Sequence, residues 1–349
     1  MRRKMLNVPK GSYDGMKGFT IIEFLVAGML SMIVLMAVGS SYFTSRKLND
    51  AANERLSAQQ DLRNAATLIV RDARMAGGFG CFNMSEHTKG DIIVDPSKQI
   101  QPAPAKPGAK QENPLFSLEW ANTNTNTNNN KAKLIPIAES TDIKYPGFTQ
   151  SGKALVFQYG IDDFDASAET VVVSSCSKIA KPGKKISTLQ EAKSTLQITN
   201  DDKQNGNITR QKHQVNAYAV GSISGVEGLF RFQLNDDGQW GNPQLLVKKI
   251  NKMDIRYIYL LVENPGILPT NSPRYIYGCP EDDDAGKEEK FKYTDKFDST
   301  QNAVTPAGVE VLLSSGTDTK IAASADNHIY AYRIDATIRG GNICANRTL

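Results

Sequence analysis

From Phe24 to Ser45 the chain carries no charged residue for 22 positions, and a single acid, Glu23, stands immediately in front of that run. At 1.5 Å per residue, a helix of that length crosses a hydrocarbon layer of about 30 Å. A carboxylate at the mouth of such a helix is expensive: a central charge costs roughly 2.5–3.5 kcal/mol on insertion scales, which makes Glu23 a functional candidate. The preceding stretch carries Arg2, Arg3, Lys4, Lys10 and Lys17 against Asp14 alone. That bias predicts a cytoplasmic N-terminus and export of everything after the helix.

A secretory signal also begins with basic residues. Its apolar core is about 7–15 residues long, however, and a small-residue cleavage site follows it. Here the run is longer and leads through Ser45-Arg46-Lys47 into a helical pattern. The expected processing point lies in front of the run instead, between Gly18 and Phe19, which leaves the apolar helix in the product. Met5 or Met16 are alternative starts that alter only the leader. Beyond the membrane, Leu48, Ala52, Leu56, Gln59, Leu62, Ala66, Ile69, Ala73 and Ala76 recur at three- and four-residue steps. Arg46, Asp50, Arg55, Asp61, Arg63, Arg71 and Asp72 are assigned to the intervening faces. This predicts an amphipathic continuation, stopped by Gly77, Gly78 and Gly80. One helix of about 85 Å from Phe19 to about Met75 results, and the single Gly39 within it predicts no kink.

The remainder alternates with period two. Leu155, Phe157, Tyr159 and Ile161 share a face, as do Met253, Ile255, Tyr257 and Tyr259. Val226, Phe230, Phe232 and Leu234 run into Asn235-Asp236-Asp237-Gly238, a hairpin signal in front of Trp240. Tyr330, Tyr332, Ile334, Ala336 and Ile338 oppose Arg333, Asp335, Thr337 and Arg339. Such alternation predicts sheets with one face buried, here against the helix. The stretches 96–114, 122–130, 178–185 and 281–289 are polar and read as surface loops.

Cys81, Cys176, Cys279 and Cys344 all fall on the exported side, where two disulfides are expected and three connectivities are open. Nothing in the sequence pairs them; the expected pairs are Cys81–Cys176 and Cys279–Cys344. No C-x-x-C occurs and His87, His213 and His328 are scattered, so neither a metal nor a cofactor is expected. The acidic run 281–289 lacks the alternating ligands of a calcium loop. The segment 1–18 takes five of the 41 basic residues and one of the 37 acidic ones, so the remainder is formally neutral. A basic nucleic-acid surface is therefore not expected. Metalloprotease, nucleophile-elbow and phosphate-loop motifs are missing, and the chain is read as a non-enzyme.

Gly18-Phe19-Thr20-Ile21-Ile22-Glu23, with its basic leader and apolar run, resembles the class III signal of type IV prepilins. The resemblance implies cleavage after Gly18 by prepilin peptidase, N-methylation of Phe19, and docking of Glu23 on the N-terminal amine of a neighbouring subunit. Asp72 to Cys81, Ala154 to Asp162 and Lys249 to Tyr257 are similar to the PilW-like minor pilins. The implied fold is α+β and type IV pilin-like: a long N-terminal helix, transmembrane then amphipathic, packed on an antiparallel β-rich domain with long loops. The implied organisation is a cleaved leader 1–18, a membrane or filament-core half 19–45, an amphipathic half 46–80 and a head 81–349, with polar loops near 96–135 and 280–300. The implied role is a minor pilin in a tip or priming complex that initiates pilus assembly. It would be held in the inner membrane and then at the pilus tip, and partnered by other minor pilins, the major pilin and a tip adhesin. A minor pseudopilin of a type II secretion tip, or an adhesion or DNA-uptake accessory, shares the same N-terminal signature.

Overall fold

The computed structural model describes residues 18–93, 118, 133–162, 171–180, 186–198, 207–235, 238–263, 275–277, 290–297, 304–314 and 331–339. They belong to two compact units, 1–57 and 58–349, whose boundary falls inside α1 (Ile21–Met75).

In the first unit the chain is helix from Ile21 onward and passes Gly39 without a break. The helix is long and apolar enough to span a membrane. Ser31, Ser40 and Thr44 donate their hydroxyls to the carbonyls of Ala27, Ala37 and Ser40 at 2.7–2.9 Å. These three hydroxyls are thereby satisfied by the backbone of the helix itself.

The second unit begins with the last turns of α1 and continues through short strands β1 (Gly78–Phe79), β2 (Phe82–Asn83) and β3 (Ile92–Ile93). Next come β4 (Ile137–Ser140), β5 (Phe148–Gln150), β6 (Ala154–Asp162), β7 (Val171–Ser174), β8 (Ile179–Ala180) and α2 (Leu189–Thr195). The long strands follow: β9 (Thr209–Ile223), β10 (Val226–Leu234), β11 (Trp240–Lys248) and β12 (Lys252–Glu263). The described elements end with β13 (Tyr275–Tyr277), β14 (Lys290–Thr294), β15 (Gly308–Ser314) and β16 (Ala331–Thr337).

These strands form a nine-stranded sheet centred on β9 and a five-stranded sheet ordered β13-β12-β15-β16, with β14 also on β12. All pairs are antiparallel except β3 with β8. The expected hairpin is present: Leu234 opposes Trp240, and Gly238 N–H donates to the Asn235 carbonyl at 2.9 Å. The helix end lies between the two sheets. Ala65, Ile69, Ala73 and Ala76 pack with Leu155, Phe157, Tyr218 and Leu229 of the larger sheet. From the smaller sheet they meet Tyr257, Val309, Val311 and Ile334.

Two expectations require correction. The larger sheet is buried on both faces, because Ile143, Tyr145 and Phe148 cover Val156, Ala217, Phe230 and Phe232 on the side away from the helix. Only the smaller sheet shows one buried face, with Met253, Ile255 and Tyr257 inside and Lys252 and Arg256 outside. The apolar stripe of the helix is also shorter than its period suggests. Leu48 and Leu56 are 66% and 64% exposed, and burial begins near Leu62.

Helix α1 ends where Gly77 takes φ +79° and bonds the Gln158 carbonyl at 2.8 Å. Gly80, at φ +65°, lies so close to Thr209 that a Cβ would fall 2.5 Å from its Oγ1. Glycine is needed there on both counts. The adjacent Cys81 is bonded to Cys176 across 95 residues of sequence. Cys279 and Cys344 lie outside the described residues, as do 96–114, 122–130 and 281–289.

Candidate functional site

Gly18, Phe19 and Glu23 fall together at the mouth of α1. Thr20 caps the helix: its N–H and its hydroxyl both donate to Glu23 Oε2 at 3.0 Å, and Glu23 N–H returns to Thr20 Oγ1 at 3.4 Å. This reciprocal box explains why the helix begins at Ile21 rather than Phe19. Both side-chain bonds use Oε2, so Oε1 accepts nothing from the described residues. Phe19 and Ile22 are 88% and 73% exposed, and the apolar side chains that follow are at least half exposed through Leu35. An open carboxylate oxygen therefore sits at the start of a wholly uncovered apolar surface.

A second constellation lies at the other end of the helix, within the head. Asp72 is fully buried. Its Oδ1 accepts from the Tyr159 hydroxyl at 2.9 Å and from Arg71 at 3.2 Å. Its Oδ2 accepts from the Tyr218 hydroxyl at 2.6 Å, Asn216 Nδ2 at 2.8 Å and Arg231 Nη2 at 3.2 Å. Tyr159 on β6, Asn216 and Tyr218 on β9, and Arg231 on β10 thus converge from three neighbouring strands on one helical carboxylate. Burial, then the Asp72 charge, raises both phenols well above their ordinary range, so they stay protonated donors. The guanidinium of Arg231 is opposed by burial but held charged by the Asp72 carboxylate beside it. With both oxygens saturated and no solvent access, this carboxylate serves as an anchor rather than a base.

The sequence pattern assigns Asp72 to a face between the apolar positions, whereas the structure puts it in the core. The signal that finds it is phase: it stands three residues after Ile69 and seven after Ala65, on the buried stripe. His213 is also buried, 3.2 Å from Gln158 Oε1, and burial pushes its pKa down to about 3. Among the described residues no group of three or more His, Cys, Asp or Glu side chains is placed to hold a metal ion. Comparison of the chain with family models, with curated proteins and with solved structures returned no match.

Proposed function

We propose that this chain is a pilin-like subunit, a minor pilin that joins a tip or priming complex and initiates filament assembly. The observation that carries the reading is the Gly18-Phe19-x-x-x-Glu23 junction at the head of a charge-free run whose apolar surface no described residue covers. Cleavage after Gly18 frees the amine of Phe19, and the amine of one subunit meets the open Oε1 of Glu23 in the next. At 4 Å and an effective dielectric of 20 that attraction is about 4 kcal/mol, comparable with the cost of burying the acid. The pair therefore sets the axial position of a subunit more than it adds to stability. Packing of the bare helices against one another removes their apolar surface from lipid or water. The Asp72 anchor supports this role by tying the last turns of the helix to the head.

Deleting the gene in a piliated host tests the reading. Loss of surface pili that returns when the retraction ATPase is also removed supports a role in initiation. Undiminished pili overturn it, and loss of protein secretion with intact pili assigns the chain to a secretion pseudopilus. In the same host, Glu23→Val is expected to be processed normally but to enter filaments poorly. Substitution of Gly18 is expected to retain the mass of the leader.

A further inference from the structure

We infer that the groove between the end of α1 and strand β16 binds an extended acidic segment of a partner protein, which adds as a strand to the edge of β16 that faces away from β15. The inference stands apart from the filament reading, because it rests on the second unit alone.

The groove has a volume of about 620 Å³, and its α1 wall is formed by Arg63, Ala66, Val70, Arg71 and Arg74. On the opposite side it is lined by Tyr332 of β16. Its floor is apolar, and the charged residues among the described ones that line it are all cationic. Arg71 is committed to Asp72, while Arg63 and Arg74 make no ion pair among the described residues. Two exposed guanidiniums eleven positions apart therefore bracket an apolar strip. An acidic occupant satisfies both, each through a charge-assisted bond that arginine makes well.

The backbone supplies the second half of the site. Strand β16 pairs with β15 and with no other described strand. Ile338 N–H donates to the Ala307 carbonyl at 3.0 Å, whereas Arg339 N–H turns the other way, to the Ala73 carbonyl of α1 at 3.3 Å. Successive residues of an antiparallel strand alternate sides. The N–H and C=O groups of Arg333, Asp335 and Thr337 thus lie on the side of Arg339, away from β15 and toward the helix. An extended peptide that leaves the groove at Tyr332 and continues along this edge meets that row of donors and acceptors, and strand addition is a recurrent mode of peptide capture. Arg333 and Asp335, paired with each other at 3.0 Å, place charge on the edge and discourage indiscriminate pairing. A nucleic acid would use the arginines but has no use for a strand edge, so the extended peptide is favoured.

The test uses the full chain in detergent micelles and a fluorescent alternating Glu-Val peptide about twelve residues long. Anisotropy should report saturable binding that weakens about tenfold or more in the double variant Arg63→Glu/Arg74→Glu. Asp335→Pro, which removes an outward N–H without touching the β15 ladder, should weaken it separately. N-methylation of alternate peptide amides should abolish it. Both arginines are exposed, and an unchanged near-ultraviolet spectrum establishes that the variants fold. No binding by the parent, or binding indifferent to the arginine reversal, overturns the inference. Equal binding of the N-methylated peptide excludes strand addition. Equal binding of single-stranded DNA makes the groove a plain anion site and likewise overturns the inference.

Discussion

Replacing Asp72 with Asn keeps the size and shape of the side chain but removes the charge that five donors address. Four of those donors, Tyr159, Asn216, Tyr218 and Arg231, belong to the larger sheet, so the substitution acts on the joint between helix and sheet. A hydrogen bond to a charged group contributes about 1.5–3 kcal/mol, against about 0.5–1.5 for a neutral one. The loss is therefore near 1 kcal/mol for each sheet donor. The side chain of Arg231 is only 13% exposed, and it is left facing an amide. Breaking one partner of such a buried pair costs about 3–5 kcal/mol, and both routes give roughly 4 kcal/mol for Asp72→Asn. Urea unfolding of the full chain in micelles reads this, since Trp240 is buried on the far face of the same sheet. Arg231→Met completes a double-mutant cycle. The double variant should be less damaged than the sum of the singles by about 2 kcal/mol, because it strands no charge. A loss under about 1 kcal/mol for Asp72→Asn, or a coupling indistinguishable from zero, would show that packing alone joins helix to sheet.

Four further outcomes are expected. Folded His213 resists protonation until about pH 3, whereas the unfolded chain takes that proton near 6.5, so stability falls as pH falls through this window. At about 1.4 kcal/mol per unit, the loss by pH 4.5 is roughly 3 kcal/mol, and His213→Gln should flatten that part of the urea-midpoint profile. Tyr159 and Tyr218 act in the opposite sense: their folded pKa values are raised, so stability is intact below pH 10 and declines above it. Spectrophotometric phenol titration should show both ionising only on unfolding. The Cys81–Cys176 bond closes a 95-residue loop. Replacing both cysteines with Ser should cost roughly 4–5 kcal/mol by chain entropy, measured as a shift in the urea midpoint. Gly80→Ala places a methyl group 2.5 Å from Thr209 Oγ1 at a left-handed φ. It should destabilise the head by about 2 kcal/mol or more, and a concurrent Thr209→Ser should recover little because Oγ1 remains.

What the sequence discloses here follows from how local each signal is. The helix, its glycine stop, the 235–238 turn and the alternating strands depend on neighbours a few residues apart, and each appears where periodicity places it. The outer cover of the larger sheet is different. Phe148 meets Phe230 and Phe232 at centroid distances of 5.7 and 4.7 Å from more than eighty positions away in sequence, and no pattern within β6 or β9 announces that cover. Asp72 fails for the opposite reason. Its phase on the stripe was legible, but a rule that sorts residues by polarity sends an acid outward. Only the arrival of Tyr159, Asn216, Tyr218 and Arg231 makes its burial affordable, and those partners stand 87–159 positions downstream.

The same distinction separates the two ends of α1. At Glu23 one carboxylate oxygen is satisfied by Thr20, and among the described residues the other, along with the surrounding apolar side chains, has no cover. At Asp72 it satisfies everything internally. The docking role proposed for α1 needs this asymmetry, since a carboxylate with both oxygens saturated would have nothing left to offer a neighbour. The energetics then make separable demands. Loss of the Asp72 charge should reduce the stability of the head in isolation, whatever the chain assembles with. Loss of the Glu23 charge should leave that stability unchanged and appear only where a second subunit supplies the amine. A Glu23→Val chain whose head unfolded earlier in urea would contradict this division, because it would mean that the membrane end of α1 already contributes to the fold of the head.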